Sequence, residues 1–268
     1  MGGRARPGAR RQRQGEDSSH HRGAHSRARS GQGARPELKA KLLESIAEGR
    51  AREPELEALC VDAPPDPSGR WSAKDHLAHL AWWRDRTARL VEAVRTGADP
   101  PPPVDDDTQN AIIYQDYRDR PAAEIVADAR RSWDHIAAAI EACSEDDLLR
   151  PHPHVKDRNL MDSGPSNGGH LGSHLMFWYL EQGDEATAEA AMRWAHELET
   201  AAAADAKARA YATYNFACFY GRLGRAGDAL PLLRESFKAA PELAEWARKD
   251  HDLDLIRSDE GVAALLGG

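Results

Sequence analysis

Apolar residues recur every three or four positions over most of the chain after residue 36, a pattern typical of helices that bury one face. The segment 37–60 follows this pattern as one helix or a broken pair. A second predicted helix begins at Ser72, because Ser72 and Asp75 have the spacing of a capping box, and it ends at Gly97. Its inward residues are Leu77, Leu80, Leu90, Val91 and Val94. No segment has a convincing strand pattern.

Two further helices complete a predicted four-helix bundle over residues 36–182. Pro121 suits the first turn of the third helix, because proline has no N–H to lose there. The fourth helix starts near Gly169 and ends at Gly183. The long irregular segment 150–169 connects these two helices, and such segments often carry function. We therefore expect an all-α protein whose first domain is an up-and-down four-helix bundle.

After Gly183 the sequence changes to short alanine-rich helices, which predict a tetratricopeptide-like helical-hairpin unit over residues 184–268. Residues with the intervals of such a repeat are Ala217, Tyr220, Gly224, Ala229, Leu233 and Pro241. The unit is expected either to cap one end of the bundle or to form a short groove for a protein partner. Candidate partner-binding residues are Tyr211, Tyr214, Asn215 and Tyr220. An incomplete array also leaves an open face that a second copy of the chain could cover in a homodimer.

Charge and composition exclude several classes of protein. Residues 1–35 hold nine Arg and two acidic residues but no Leu, Ile, Val or aromatic residue, so a disordered basic tail is expected. Because the net charge of the whole chain is −8, the remaining residues are strongly acidic, which argues against nucleic acid as a partner. No long apolar run and no secretory h-region is present, so we expect no membrane span and a cytoplasmic location.

Three histidines are candidate metal ligands. His170 and His174 lie four residues apart and therefore share one face of the fourth helix, while His79 lies mid-way along the second helix on an inward stretch. Three neutral imidazoles leave one position open on zinc or nickel, as in catalytic sites. His76 is a competing third ligand, but its place near the capped helix end favours exposure. The alternative is that each histidine is a core residue whose nitrogens bond to neighbours.

Four segments of the chain resemble the DinB-like four-helix bundle superfamily, most closely its ClbS/DfsB branch: WSAKDHLAHLAWWR at 71–84, NAIIYQDYRDRPAAEIVADARRSWDHI at 110–136, SEDDL at 144–148 and HLGSHL at 170–175. The resemblance implies a divalent metal held by His79, His170 and His174. It also implies a hydrolase, or an S-transferase that uses a low-molecular-weight thiol, acting on a reactive small molecule in detoxification or self-protection.

Four polar or aromatic residues are candidates for a substrate pocket: Trp83, Tyr114, Arg118 and Trp178. Tyr114 could orient a substrate and Arg118 could hold a carboxylate, although packing and helix capping are the competing roles. No side chain has the context of a protein base or covalent nucleophile. Two hypotheses result: a metal-dependent hydrolase or S-transferase, or a non-catalytic scaffold that binds a protein partner through the C-terminal unit.

Overall fold

The computed structural model describes residues 37–156, 158–165 and 167–267, which are helical apart from loops and one isolated bridge between Pro151 and Asn159. The all-α prediction is confirmed. The predicted disordered tail, residues 1–35, lies outside the described residues. The α-helices are α1 (Glu37–Arg52), α2 (Pro54–Glu57), α3 (Ala73–Thr96), α4 (Asp106–Tyr117), α5 (Ala122–Glu141), α6 (Glu145–Leu148), α7 (Gly168–Glu181), α8 (Glu185–Ala202), α9 (Ala206–Arg222), α10 (Ala226–Ala239), α11 (Leu243–Ala247) and α12 (Glu260–Leu266).

The ends of α3 are where local sequence places them. The Asp75 N–H donates to Ser72 Oγ at 3.2 Å, and the Ser72 N–H donates to the Asp75 carboxylate at 2.8 Å, which completes the capping box. At the other end Gly97 adopts φ 76°, a left-handed conformation that favours glycine. Helix α4 was not predicted: it begins where the Asp105 carboxylate accepts the Thr108 N–H at 3.0 Å.

The bundle consists of α1, α3, α5 and α7. Both α1 and α3 pack against α5 and α7, and their apolar faces form one core with Trp133 fully buried in it. The α1 helix passes close to this ring, because a Cβ atom at Gly49 would lie 2.6 Å from Trp133. A second apolar cluster lies among α8 to α12 and includes Met176 of α7. The predicted division at residues 182–184 stays a prediction.

Helix α7 has two opposite faces. Gly168, Gly169 and Gly172 face α8, whereas His170 and His174 lie roughly half a turn away on the helical wheel. A Cβ atom at Gly172 would lie 2.3 Å from Ala195 Cβ, and one at Gly169 would lie 2.0 Å from the Glu199 carboxylate. Glycine is therefore required for α7 and α8 to approach this closely. No described helix has the length and apolar character needed to cross a membrane.

A buried ion pair joins three parts of the bundle. Arg84 of α3 and Glu53, between α1 and α2, are both fully buried, with Arg84 Nη2 at 2.5 Å from Glu53 Oε2. Trp133 Nε1 of α5 donates to Glu53 Oε1 at 2.9 Å, and the Arg84 guanidinium lies 3.5 Å from the centre of the Trp133 ring. The three side chains thus pair with each other in the core, although Arg84 Nε is buried without a hydrogen-bond partner among the described residues.

The substitution Glu53→Ala is expected to lower the free energy of unfolding by about 3–5 kcal/mol, because it leaves the Arg84 charge buried without its partner. Urea unfolding monitored by circular dichroism measures the change. The double substitution Glu53→Leu with Arg84→Met should recover much of the loss, since no charge remains buried. Equal stability of the Glu53→Ala variant and the unsubstituted protein would contradict this account.

A second polar contact between α3 and α5 depends on pH. His135 Nδ1 lies 2.7 Å from Asp85 Oδ1, and His135 Nε2 lies 3.2 Å from Glu92 Oε2. Partial burial lowers the pKa of His135, but the two carboxylates outweigh it and raise the pKa above its usual value. The protonated ring therefore stabilises the folded state.

A raised histidine pKa gives stability that is fully present below the unfolded-state value of about 6.5 and is lost as pH rises through the folded-state value. The substitution His135→Asn should therefore destabilise the protein more at pH 6 than at pH 9. Urea midpoints of both proteins at the two pH values test this. A difference that does not shrink at pH 9 would show that His135 acts by packing alone.

Candidate metal centre

Helices α3 and α7 bring three imidazole nitrogens to one point in the bundle. His79 Nε2 lies 2.9 Å from His170 Nε2, and His174 Nε2 lies 3.2 Å from the same atom. Ligand atoms of these three residues all lie within 4.8 Å of one another. The capping box fixes where α3 begins and therefore the position of His79 along it. The four-residue spacing places His170 and His174 one turn apart on the same face of α7. The histidines of the two helices therefore face each other.

The three imidazole nitrogens are better placed to coordinate one metal ion than to hydrogen-bond to each other. His170 Nε2 faces two other Nε2 atoms, yet a neutral imidazole nitrogen can either donate one hydrogen bond or accept one. One of the two short contacts is therefore poorly satisfied in the neutral cluster. Nitrogen ligands of a tetrahedral zinc ion lie about 3.3 Å apart, since each Zn–N bond is about 2.0–2.1 Å. The two observed separations are close to that value.

Burial keeps these imidazoles neutral. Desolvation lowers the pKa of His79 to about 3 and that of His170 to about 4, and it also lowers the pKa of His174. Nearby histidines add to the effect at His79 and His174. Neutral imidazole is the form that binds metals, so protons do not compete for the nitrogens at pH 7.

His76 is buried, which corrects the expectation that it is exposed. Only 4% of its surface is accessible, and its Nδ1 lies 2.7 Å from His174 Nδ1. One of these two nitrogens must carry the proton. For His174 Nε2 to bind a metal, the proton must lie on Nδ1, so that the His174 Nδ1–H donates to His76 Nδ1. In such an arrangement an outer partner orients a metal ligand. The His76 Nε2 atom is buried without a hydrogen-bond partner among the described residues.

Two tryptophans pack against three of the four histidines. The Trp71 ring centre lies 5.2 Å from that of His79 and 6.1 Å from that of His174, on which it stacks with an interplanar angle of 19°. Trp178, a predicted pocket residue, meets His76 edge-on at 6.3 Å. Sequence reasoning did not include Trp71 in the site. Its position just before the capping box was the available signal, since residues there often fold back onto the first turn of the helix.

The other predicted pocket residues lie farther along α3 and on α4. Trp83 is 6.1 Å from His79, ring centre to ring centre, and its Nε1 donates to Asn110 Oδ1 at 2.9 Å. Tyr114 is partly buried on α4. Arg118 is exposed, and its nearest acidic partner is Asp119, 3.5 Å away. The structure therefore places Trp83 and Trp178 next to the histidines.

The four predicted partner-binding residues differ in accessibility. Tyr214 and Tyr220 are buried, and their hydroxyls donate to Asp250 at 2.7 Å and to Glu189 at 2.9 Å. Tyr211 is partly buried, and Asn215 is exposed. A partner could reach only Tyr211 and Asn215 without rearrangement of the C-terminal helices.

Glu199 of α8 is a further residue that sequence reasoning missed. Burial raises the pKa of its carboxyl group to about 7, against the hydrogen bond that it accepts from the Gly169 N–H. Asn167, the residue preceding α7, makes no side-chain cap. Glu199 therefore supplies the hydrogen-bond acceptor at the N-terminus of α7. The N–H that it accepts belongs to Gly169, the residue before His170.

Comparison with known proteins gives one result that bears on this site. A family model described as the DinB superfamily matches residues 34–177, a range that contains His76, His79, His170 and His174. Neither the search of curated proteins nor the search of solved structures gives a match.

Removal of the His76 ring should weaken metal binding without removing a ligand. The substitution His76→Phe is expected to lower zinc affinity about 10–100-fold, because His174 loses the acceptor that holds its proton on Nδ1. His76→Gln keeps an acceptor and should lose less. Competition with a chromophoric chelator measures both affinities. Equal zinc affinity in the Phe variant and the unsubstituted protein would show that His76 does not orient His174.

Proposed function

Because the chain belongs to the DinB superfamily, we propose that it is a metal-dependent enzyme that acts on a reactive small molecule, as a hydrolase or a small-thiol S-transferase. The observation that carries the proposal is the convergence of three neutral Nε2 atoms from α3 and α7 at hydrogen-bond distance. The finer parts of the proposal are membership of the ClbS/DfsB branch, zinc or nickel as the metal, and a low-molecular-weight thiol as a second cofactor. A cytoplasmic location remains a prediction from composition alone.

Different residues around the histidines would have different roles in such a site. His79, His170 and His174 would hold the ion, which would act as a Lewis acid toward water or a thiol. His76 keeps the proton of His174 on Nδ1, so that the opposite nitrogen is free to bind. Trp71 covers three of the rings on one side and reduces their contact with water. His170 is more accessible than His174, and this favours approach of a substrate from its side.

Metal content of protein purified without an affinity tag tests the proposal. We expect about one equivalent of zinc or nickel after incubation with either ion and removal of the excess, and a melting temperature that rises with metal concentration. His170→Ala should lose both effects, because two nitrogens cannot replace three.

The matched control is His251→Ala, which removes a histidine whose side chain is 93% exposed. It should bind metal as the unsubstituted protein does. Stoichiometric metal retained by the His170→Ala variant would refute the site.

A second candidate function is a scaffold that binds a protein partner, or a second copy of the chain, through the tetratricopeptide-like unit. Two large apolar side chains favour it, because Trp246 is 68% exposed and Leu255 is 69% exposed. One variant distinguishes the two candidate functions. Alanine at both Trp246 and Leu255 should abolish a partner complex and leave metal binding unchanged.

A further inference from the structure

Two adjoining cavities lie between the bundle and the C-terminal helices. The smaller, of about 190 Å³, is lined by His170, Ser173 and His196 among others. The larger, of about 350 Å³, has Arg158 and Lys207 in its wall. Glu199, Ala212 and Asn215 line both cavities, so the two share a wall. We call the pair the junction chamber. Its size is in the range of small-molecule sites, about 300–1,000 Å³.

The chamber wall combines polar and apolar residues, and it includes one side-chain amide that no described residue bonds to. Leu42 and Pro165 line the larger cavity on the bundle side, and Tyr211 and Ala212 line it on α9. Asn215 is the single exposed position in the run 212–221, and no described residue bonds to its side-chain amide. An exposed amide on an otherwise buried helix face is available to a ligand in the chamber.

The charges of the larger cavity favour an anion. Arg158 forms no ion pair with the residues that the structure describes, and its charge acts on Lys207, which pairs with Glu242 at 2.7 Å. The two carboxylates in the wall are already engaged at helix N-termini. Glu199 accepts the Gly169 N–H, and Asp205 accepts the Ala208 N–H at 2.8 Å. Helix N-termini offset negative charge, so the unpaired charge that remains is that of the Arg158 guanidinium.

We propose that the junction chamber binds an organic anion, a small molecule with an apolar body and one carboxylate or sulfonate group, and that this anion is the substrate of the histidine site. Arg158 would hold the anionic group, Asn215 would donate a hydrogen bond, and the apolar body would extend past Glu199 toward His170. The C-terminal helices then form one wall of the substrate site. The substrate role rests on the proposed function, whereas anion binding does not.

Fluorescence of 1-anilinonaphthalene-8-sulfonate tests anion binding in the full chain after treatment with EDTA. The substitution Arg158→Gln should weaken its binding about tenfold, since the variant loses the charged donor of the hydrogen bond to the anionic group. Arg158→Lys should keep most of the affinity. Arg234→Gln is the matched control, because Arg234 is exposed on α10 and outside the chamber wall, and it should bind as the unsubstituted protein does.

The uncharged dye N-phenyl-1-naphthylamine separates charge recognition from apolar adsorption. Its binding should be the same in the Arg158→Gln variant and in the unsubstituted protein. The anion proposal is overturned if both dyes lose affinity equally, or if the sulfonate dye binds the Arg158→Gln variant as well as it binds the unsubstituted protein. Urea unfolding of each variant confirms that the compared proteins are folded.

The absorption spectrum of cobalt-loaded protein tests whether the anion reaches the histidines. Addition of the sulfonate dye should shift the ligand-field bands of the unsubstituted protein, and the Arg158→Gln variant should need about tenfold more dye. Unchanged bands at full dye occupancy would overturn the substrate role. Failure of the protein to bind cobalt would refute the proposed metal site, while Arg158-dependent dye binding would still identify the chamber as an anion site.

Discussion

The arrangement of lone pairs inside the bundle is the constraint on which the rest of the site depends. Three imidazoles without charge meet in an apolar interior, where one nitrogen faces two others at 2.9 and 3.2 Å. Protons alone cannot satisfy both contacts, and burial opposes a positively charged ring. The same burial that makes the neutral cluster unfavourable also keeps it ready for a cation. The short contact of His76 with His174 belongs to this arrangement, because it determines which nitrogen of His174 faces inward.

Local sequence patterns predicted the parts of the site that depend on one helix. The Ser72 capping box and the spacing of His170 and His174 both act within a single turn, so the residues alone carry the information. The burial of His76 depends instead on what packs over the first turn of α3. Trp71 folds back across it, and Trp178 approaches from α7. Neither contact has a periodic signal, and this is why a position near a helix end was expected to be exposed.

In the C-terminal helices, too, sequence patterns did not predict the contacts between helices. Their existence follows from alanine-rich periodicity, but the direction in which each side chain points depends on how the helices pack. Tyr214 and Tyr220 have aromatic rings that suit either a binding surface or a core, and the structure buries both. Glu199 gave no signal because its partner, the Gly169 N–H, is 30 residues away in the chain. The sequence signal was the three glycines among residues 168–172, since a helix with so many glycines is expected to pack closely against a neighbouring helix.

The two faces of α7 couple the position of the histidines to the packing of the C-terminal helices. Gly168, Gly169 and Gly172 accommodate Leu198, Glu199 and Ala195, while the opposite side of the same helix carries two of the histidines. A larger residue on the glycine side would push α7 away from α8 and carry the imidazoles with it. Residues 195–199 are therefore constrained by the position of the imidazoles on the far side of a neighbouring helix. Without α8 beside it, α7 could carry better helix formers at these three glycine positions.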